Sequence, residues 1–476
     1  MLVPLIQTHT IGSLDILKEV PMTPRYEPTP SIPFNNPKLI GQNKVEQILT
    51  AHIQELGCAV EYGTELHSFE QDEDGVIAQI VTKDGDREKT GTIESQFLIG
   101  ADGARGIVRK QLGLTFLGET RDTTRLVTGD ICFKCPGLSR NYWQIFNDES
   151  GSVIAFRPID AAKEGDRWQI LVSGDKFDID ALISDKEVLY SLIRETLNAP
   201  VEFLGLVWIS EFRPNIRMVD KFGQGRAFVA GDAAHVHSPT GGQGLNSGVQ
   251  DAFNLAWKIA LVAKGISPLS FLDTYTAERL PVIAQMLNIT TSLLDKTFGP
   301  TRGTVESAME RGRLLFMLGV NYRTSPIVVD EFSAGVPPVA AYMLDKSDEL
   351  VAGDRAPDAP GLVEETATVR LFDIFKPTHH TALVFVPNVE AAADLLRSFE
   401  PYSTIARPVV VLPASANSSP STTSARIVID KDNYAHTHYI IKEEPRVVVV
   451  RPDGVVGAIV AGSSGVQKYF DLIRGH

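Results

Sequence analysis

The stretch from Gly225 to Ala260, GRAFVAGDAAHVHSPTGGQGLNSGVQDAFNLAWKIA, leaves the chain few choices of fold. Arg226 opens a short, uniformly apolar run, Ala227 to Ala230, of the kind expected of a parallel strand covered on both faces. Gly231 and Asp232 end it. An acidic side chain therefore falls at the carboxyl end of a buried strand, where open α/β sheets bind ligands and where a carboxylate suits sugar-like hydroxyls. Pro239, Gly241, Gly242 and Gly244 follow, and the glycines let backbone approach a flat ligand without interference from Cβ. Leu245, Val249, Ala252, Ala256 and Ile259 then recur at helical spacing, which predicts a helix that aims its N-terminal amides at whatever the loop holds. Taken alone, a glycine loop of this type is also the ordinary crossover turn of a parallel sheet.

A second segment repeats the arrangement. Phe97 to Gly103, FLIGADG, reads as a buried strand ending in an acidic turn, with Arg105 and Arg109 just behind it. The segment from Gly231 to Ala260 resembles, over about thirty positions, the second flavin motif of the class A flavoprotein monooxygenases, the group of para-hydroxybenzoate hydroxylase and phenol hydroxylase. FLIGADGAR resembles the family's Asp-Gly motif, which serves both flavin pyrophosphate and nicotinamide cofactor; Gly106 stands where the family usually has Ser, a lost polar contact or cap of typically ~1 kcal/mol. Tyr275, Glu278, Arg279 and Pro281 match the family's Tyr-x-x-Glu-Arg-x-Pro stretch, on a helix that by itself reads as amphipathic, with a packing role. Segments from Gly319 and Gly353 are similar to those leading into the C-terminal domain of the phenol hydroxylase branch.

The resemblance implies FAD as cofactor, NAD(P)H as co-substrate, and hydroxylation of a small phenol-like aromatic by O2 through a flavin hydroperoxide. It places cofactor contacts at Gln42, Asp102, Gly103, Arg109, Gly231, Asp232, Pro239, Gly242, Gly244, Leu245 and Asn246. Asp232 would hold the ribityl chain, and residues 239 to 246 would seat the isoalloxazine. No side chain need act as a nucleophile, and no catalytic residue is assigned. Epoxidation, Baeyer-Villiger or dehydrogenation chemistry on the same fold remains open.

No GxGxxG occurs anywhere in the sequence, although the family begins with a strand, a GxGxxG turn and a helix that hold the ADP half of FAD. Ser13 to Leu17 resemble the helix that follows that unit, and six prolines between Val20 and Gln42 argue for an extended loop. Losing a central strand of about five buried apolar residues costs on the order of 10 kcal/mol, comparable to a domain's whole stability. Three readings stay open: a start that is not the biological one, a splice or gene-model fragment, or a degenerate relative with impaired FAD binding and no activity. Intact Asp102 and Asp232 segments favour the first two.

At 476 residues and 43% hydrophobic, the chain can bury two or three cores, as expected of a water-soluble multidomain enzyme of the cytoplasm. A net charge of −14 disfavours nucleic acid or an anionic membrane as partner. No apolar run reaches the roughly 18 residues of a membrane span, and no secretory leader is visible. Three cysteines make no disulfide framework; Cys132 and Cys135 lie three apart in a predicted strand and so face opposite ways, which suits neither a redox pair nor half a zinc site. His235 and His237, without a third ligand nearby, read as positioning groups beside the flavin rather than as a metal site.

The predicted architecture is α/β: a Rossmann-like FAD-binding domain with an inserted, mostly antiparallel β substrate domain and a C-terminal thioredoxin-like domain. The FAD-binding parts are residues 1–120 and 220–300, the substrate-covering sheet 121–219, a helical connection 301–368, and the tail 369–476. Strands are expected at TRLVTGDICFKC, NYWQIFND, GSVIAFRPI and DRWQILVSG, then a helix from Lys186 to Asn198; Trp143, Phe146 and Phe156 are candidates for an aromatic pocket or for sheet core. In the tail VRLFDIF, TALVFVP, RPVVVLP and RVVVVRPDGVVGAIV read as strands, with a hairpin at Pro452 and a helix from Val389 to Ser398. The tail carries no CxxC, which leaves it a structural role or a part in a homodimer.

Overall fold

A computed structural model of the chain describes residues 5–475 except 39, 86, 121–124, 160–165, 214, 238–241, 299–312, 334–339, 343–349, 417–424 and 443–444. The expected helix at Ser13–Leu17 does not form. Leu5–Thr10 is a strand, its β-branched Ile6, Thr8 and Thr10 suiting a pleated surface, and it returns through irregular backbone to a short antiparallel strand at Lys18–Pro21. This hairpin joins the middle sheet, with Leu5–Thr10 parallel to Tyr142–Asn147, and not the strand before Asp102. Residues 22–41 carry no helix or strand among those described, as their prolines predict.

Helix α1, Gln42–Glu55, follows and buries none of its residues. An antiparallel sheet of Thr64–Gln71, Val76–Asp84 and Arg87–Ser95 leads to the strand Leu98–Gly100. That strand pairs in parallel with Ala227–Val229, register Leu98 to Ala227 and Gly100 to Val229, and Gly223–Gln224 completes a three-stranded sheet. Leu98–Gly100 forms its edge among the described residues. Helix α2, Ile107–Gln111, follows the Asp102 turn.

The middle sheet has seven strands in the order Glu202–Phe212, Leu126–Lys134, Arg167–Ser173, Val153–Pro158, Tyr142–Asn147, Leu5–Thr10, Lys18–Pro21. The four predicted strands are present, and α3, Ile179–Ser184, and α4, Lys186–Leu197, cover one face. Asp178 and Asp185 cap these helices through the amides of Ala181 and Glu187, and Asn198 ends α4 in the left-handed region. Under them Phe133, Phe146, Phe156 and Trp168 are buried ring against ring, each worth about 1.5–3 kcal/mol over exposure. Phe146 and Phe156 therefore belong to this core, whereas the pleat puts Trp143 on the opposite face.

Two long helices come next, α5 at Gly244–Ala263 and α6 at Asp273–Phe298. The tail is an eight-stranded mixed sheet ordered Val329–Asp330, Val456–Val460, Arg446–Val450, His380–Phe385, Ala406–Pro413, Arg426–Asp430, Leu362–Glu364, Ala367–Val369. It thus draws in strands from before residue 369. VRLFDIF is a second correction: Leu371–Ile374 is a short helix, because Asp358 takes the amide of Phe372 and turns the backbone there. Arg446–Val450 and Val456–Val460 form the expected hairpin, with Gly454 at φ +76° in its turn. Helix Ser463–Arg474 packs on one face of this sheet.

Candidate functional site

The parallel pair Leu98–Gly100 and Ala227–Val229 ends at one edge, so the Asp102 and Asp232 turns come together, tied by the amide of Ala230 on the carbonyl of Gly100 at 3.0 Å. Arg109 braces the two turns: its guanidinium donates to the carbonyls of Ala233 at 2.9 Å and Ala104 at 2.6 Å, over the ring of Phe116. Burial pushes this guanidinium below its ordinary pKa, with Asp102 opposing. Asp102 itself accepts the amides of Ile107 and Val108 at 2.6 and 3.1 Å, capping α2. That explains Gly106: a Cβ there would lie 2.1 Å from the Asp102 carboxylate, so a serine would displace the group that caps the helix in its place.

Gly231 sits at φ +57° with its Cα against Gly248 of α5, and a Cβ built on Gly248 would lie 3.4 Å from it. Its amide donates to Asp251 at 3.0 Å. The same carboxylate accepts from His235 Nε2 and from Arg279 Nε, each at 2.7 Å, and all three side chains are buried. Arg279 also reaches Gln250, the Tyr322 hydroxyl and the carbonyl of Ser247, while Tyr275 donates to the carbonyl of Val229 at 3.0 Å. Burial opposes the charge on Asp251, yet Arg279 and His235 hold its carboxyl below the usual range. Tyr275 and Arg279 of α6 therefore clamp this turn from a buried position. The side chain of Asp232, by contrast, is exposed and makes no hydrogen bond among the described residues.

α5 begins beside this turn with no side-chain cap on its first amides and no acidic residue in its first turn. Gly242 is at φ +65°, Asn246 folds its amide onto the carbonyl of Gly242 at 3.1 Å, and a Cβ on Gly244 would come 3.2 Å from His237 Nε2. Pro239 lies outside the described residues. The helix is rotated relative to its sequence reading. Leu245, Val249, Ala252 and Ala256 are exposed, and Ser247, Asp251, Asn254 and Lys258 are inside. Gln42 opens α1, exposed, its amide 3.3 Å from Glu46, with the neighbouring Gly41 against Ile159 of the middle sheet.

Comparison with known proteins decides the family. The family described as FAD binding domain matches residues 24–290. A flavin-dependent monooxygenase of Mycobacteroides abscessus is 35% identical over 366 residues, 77% of this chain and 70% of that protein. The chain belongs to the FAD-dependent aromatic monooxygenases. Pentachlorophenol 4-monooxygenase of Sphingobium chlorophenolicum is 30% identical over 394 residues, 80% of this chain and 69% of its own. The flavin-dependent monooxygenase PieE in complex with FAD and substrate shares the fold at TM-score 0.77 and 22% identity over 99% of this chain and 86% of its own. Aklavinone-11 hydroxylase with FAD and aklavinone gives TM-score 0.77 and 23% identity over the same shares.

The residues of this monooxygenase fit the flavin half of FAD. An uncommitted carboxylate at Asp232 suits polyol hydroxyls, the bare N-terminus of α5 suits negative charge, and Gly231 and Gly248 leave no Cβ between turn and helix. No GxGxxG is present for the adenine half. Asp102, expected with Arg109 as a cofactor contact, gives Oδ2 to two amides of the chain, and Arg109 gives its two terminal nitrogens to carbonyls. Sequence reasoning missed Asp251. Its trace was the 247, 251, 254, 258 spacing, a polar stripe ordinarily taken for a solvated face.

A second buried network joins α5 and α6 to the tail. Glu278 accepts from Lys258 at 2.7 Å, Asn254 at 2.6 Å, Ser325 at 2.6 Å and, bidentately, Arg451 at 2.6 and 2.9 Å, while Arg451 also holds Asp453. Two cations face two anions, so the cluster is neutral. Burial alone would raise the Glu278 carboxyl; Arg451 and Lys258 hold it below its ordinary range, and burial pushes the Lys258 ammonium down to about 8. No described helix is long and apolar enough to cross a membrane.

Proposed function

We propose that this chain, with FAD, hydroxylates a small phenol-like aromatic in the cytoplasm, using NAD(P)H and O2. The observation that carries the reading is the Asp232 carboxylate, without a hydrogen bond among the described residues, on a turn packed against α5, whose first amides have no side-chain cap. When bound, FAD supplies two-electron chemistry, taking reducing equivalents from NAD(P)H and activating O2 for transfer of one oxygen atom. Asp232 binds the ribityl hydroxyls, and Gly103, Gly231, Gly242 and Gly244 let backbone approach. Leu245 and Asn246 lie in the first turn of α5, whose amides stabilise negative charge on the ring. Asp251, His235 and Arg279 hold the turn rigid, and Gln42 stands at the seam with the middle sheet. That sheet excludes water. Relatives named for pentachlorophenol and, in Cupriavidus pinatubonensis, for 2,4-dichlorophenol support a phenol-like substrate.

In this reading the Asp102 and Asp232 turns with α1, α2, α5 and α6 form the FAD-binding unit, the seven-stranded sheet is the substrate-covering unit, and the tail is a thioredoxin-like, dimer-forming unit. The test is an absorption spectrum of the purified chain after incubation with FAD and gel filtration, then NAD(P)H oxidation with a panel of phenols. Stoichiometric flavin and phenol-dependent turnover yielding hydroxylated product support the proposal. A colourless chain, or turnover giving only epoxide, ester or dehydrogenated product, overturns it.

A further inference from the structure

Two helices of the chain present apolar faces that no described residue covers. α1 has 14 residues and buries none of them, although a helix of that length is marginal in water without packing. Val45, Leu49, Ile53 and Leu56 recur along it at spacings of four, four and three, with Ile48 beside them. Leu49 is 53% exposed and Leu56, at its C-cap, 86%.

α5 departs from an ordinary surface helix in its charges. Its only two, Asp251 and Lys258, point inward, and every exposed residue from Leu245 to Ala263 is uncharged. A surface helix keeps charge on its solvent side, and one without a charged face is a covered helix. Val249, Phe253 and Ala256 repeat the four-then-three spacing of Leu49, Ile53 and Leu56, a row suited to a neighbouring helix crossing at about 20°. Ala252, Ala256 and Ala260, all exposed, leave room there for larger side chains.

Area decides what the cover is. From their fractional exposures, the apolar side chains of the two faces leave roughly 700 Å2 open on each chain, close to the ~800 Å2 that one partner brings to a standard-size interface. A single contact of α1 with α5 would bury about that much in total, no more than a poorly packed lattice contact does. Two such contacts between the same pair of chains bury about 1,500 Å2, within the range of specific complexes. The two-fold axis of a closed dimer supplies both at once.

We propose that this surface is an interface between two copies of the chain, α1 of each lying against the outer face of α5 of the other. It is separate from the tail and does not depend on the flavin reading.

The test is sedimentation of the full chain over a concentration series from nanomolar to tens of micromolar, in parent, Ile53→Glu and Phe253→Glu. A reversible dimer is expected in the parent, and each variant should raise its dissociation constant at least a hundredfold. Both side chains are exposed in the single copy, so the Phe253→Glu melting temperature at the lowest concentration should match the parent's. A cross-link keeps the result independent of any unravelling of α1. With the exposed Cys58 replaced by serine, Leu49→Cys and Val249→Cys proteins should form a mixed disulfide dimer when oxidised together, and far less dimer when either is oxidised alone. A parent that stays monomeric throughout, a dimer that both variants leave intact, or the absence of the mixed cross-link overturns the interface. A dimer untouched by the variants would move the contact to the tail, and a monomer that pairs one-to-one with a different protein would give the face another occupant.

Discussion

Two aspartates of one motif, Asp232 and Asp251, do opposite work, and substitution should separate them. Asp232→Ala removes an exposed carboxylate with no hydrogen bond among the described residues, so unfolding free energy should stay within about 0.5 kcal/mol while flavin retention falls at least tenfold. Asp251→Ala strips the amide of Gly231, His235 and Arg279 of their acceptor and leaves Arg279 buried and unpaired, a loss of about 3–5 kcal/mol in a denaturant melt. Equal destabilisation by both changes would refute the division of labour. Asp232 was legible from sequence because a carboxylate ending an apolar run has a place in the parallel-sheet rule. Asp251 was not, because charge at helical spacing signals solvent unless its partner, twenty-eight residues on in Arg279, is known to face it.

α5 shows why elements are harder to read than motifs. Its existence was plain from the spacing of Leu245 to Ile259, yet that stripe faces outward from Leu245 to Ala256 and the polar stripe faces inward, since the latter is neutralised by residues from α6 and the tail. The Leu5–Pro21 hairpin was invisible for a related reason: its pairing partner, Tyr142–Asn147, lies far along the chain. Arg451→Met tests the element junction. It leaves Glu278 with one cation, and should cost about 3–5 kcal/mol by chemical denaturation and expose the tail to protease before the rest of the chain. His380, at the same junction among Trp257, Tyr469 and Phe470, has its pKa pushed down to about 3 by burial. The unfolded chain takes its proton near pH 6.5 and the folded one does not, so stability is full above that pH and falls as pH drops toward about 3, by at most about 1.4 kcal/mol per pH unit from this group. His380→Gln should flatten the slope of stability against pH by one proton over that window.

Across the whole molecule, the parallel pair that carries the ligand turns presents an open edge at Leu98–Gly100, and the surrounding surface is oily: Ile99, Leu245, Val249 and Phe253 are exposed, as are Ile48, Leu49 and Ile53 on α1. A face of this kind binds hydrophobic dye or other protein. The triple change Leu245→Lys, Val249→Lys, Phe253→Lys should abolish dye fluorescence and concentration-dependent association in light scattering while lowering the melting temperature little; unchanged dye binding would place the sticky surface elsewhere. The layered architecture and the two acidic turns were readable because local pattern decides them, whereas which faces meet depends on contacts between distant segments.

The Arg451 to Glu278 bridge also gives the molecule an order of assembly. The α5 and α6 pair that steadies the ligand turn is made in the middle of synthesis, but one of the two cations that neutralise Glu278 arrives at position 451 of 476. On the ribosome that helix pair holds Glu278 against Lys258 alone until the closing hairpin brings Arg451 and Asp453 together. The tie between the helix pair and the tail is then a property only of the finished chain, and a polypeptide stalled before its last strands would fold its turns without that tie.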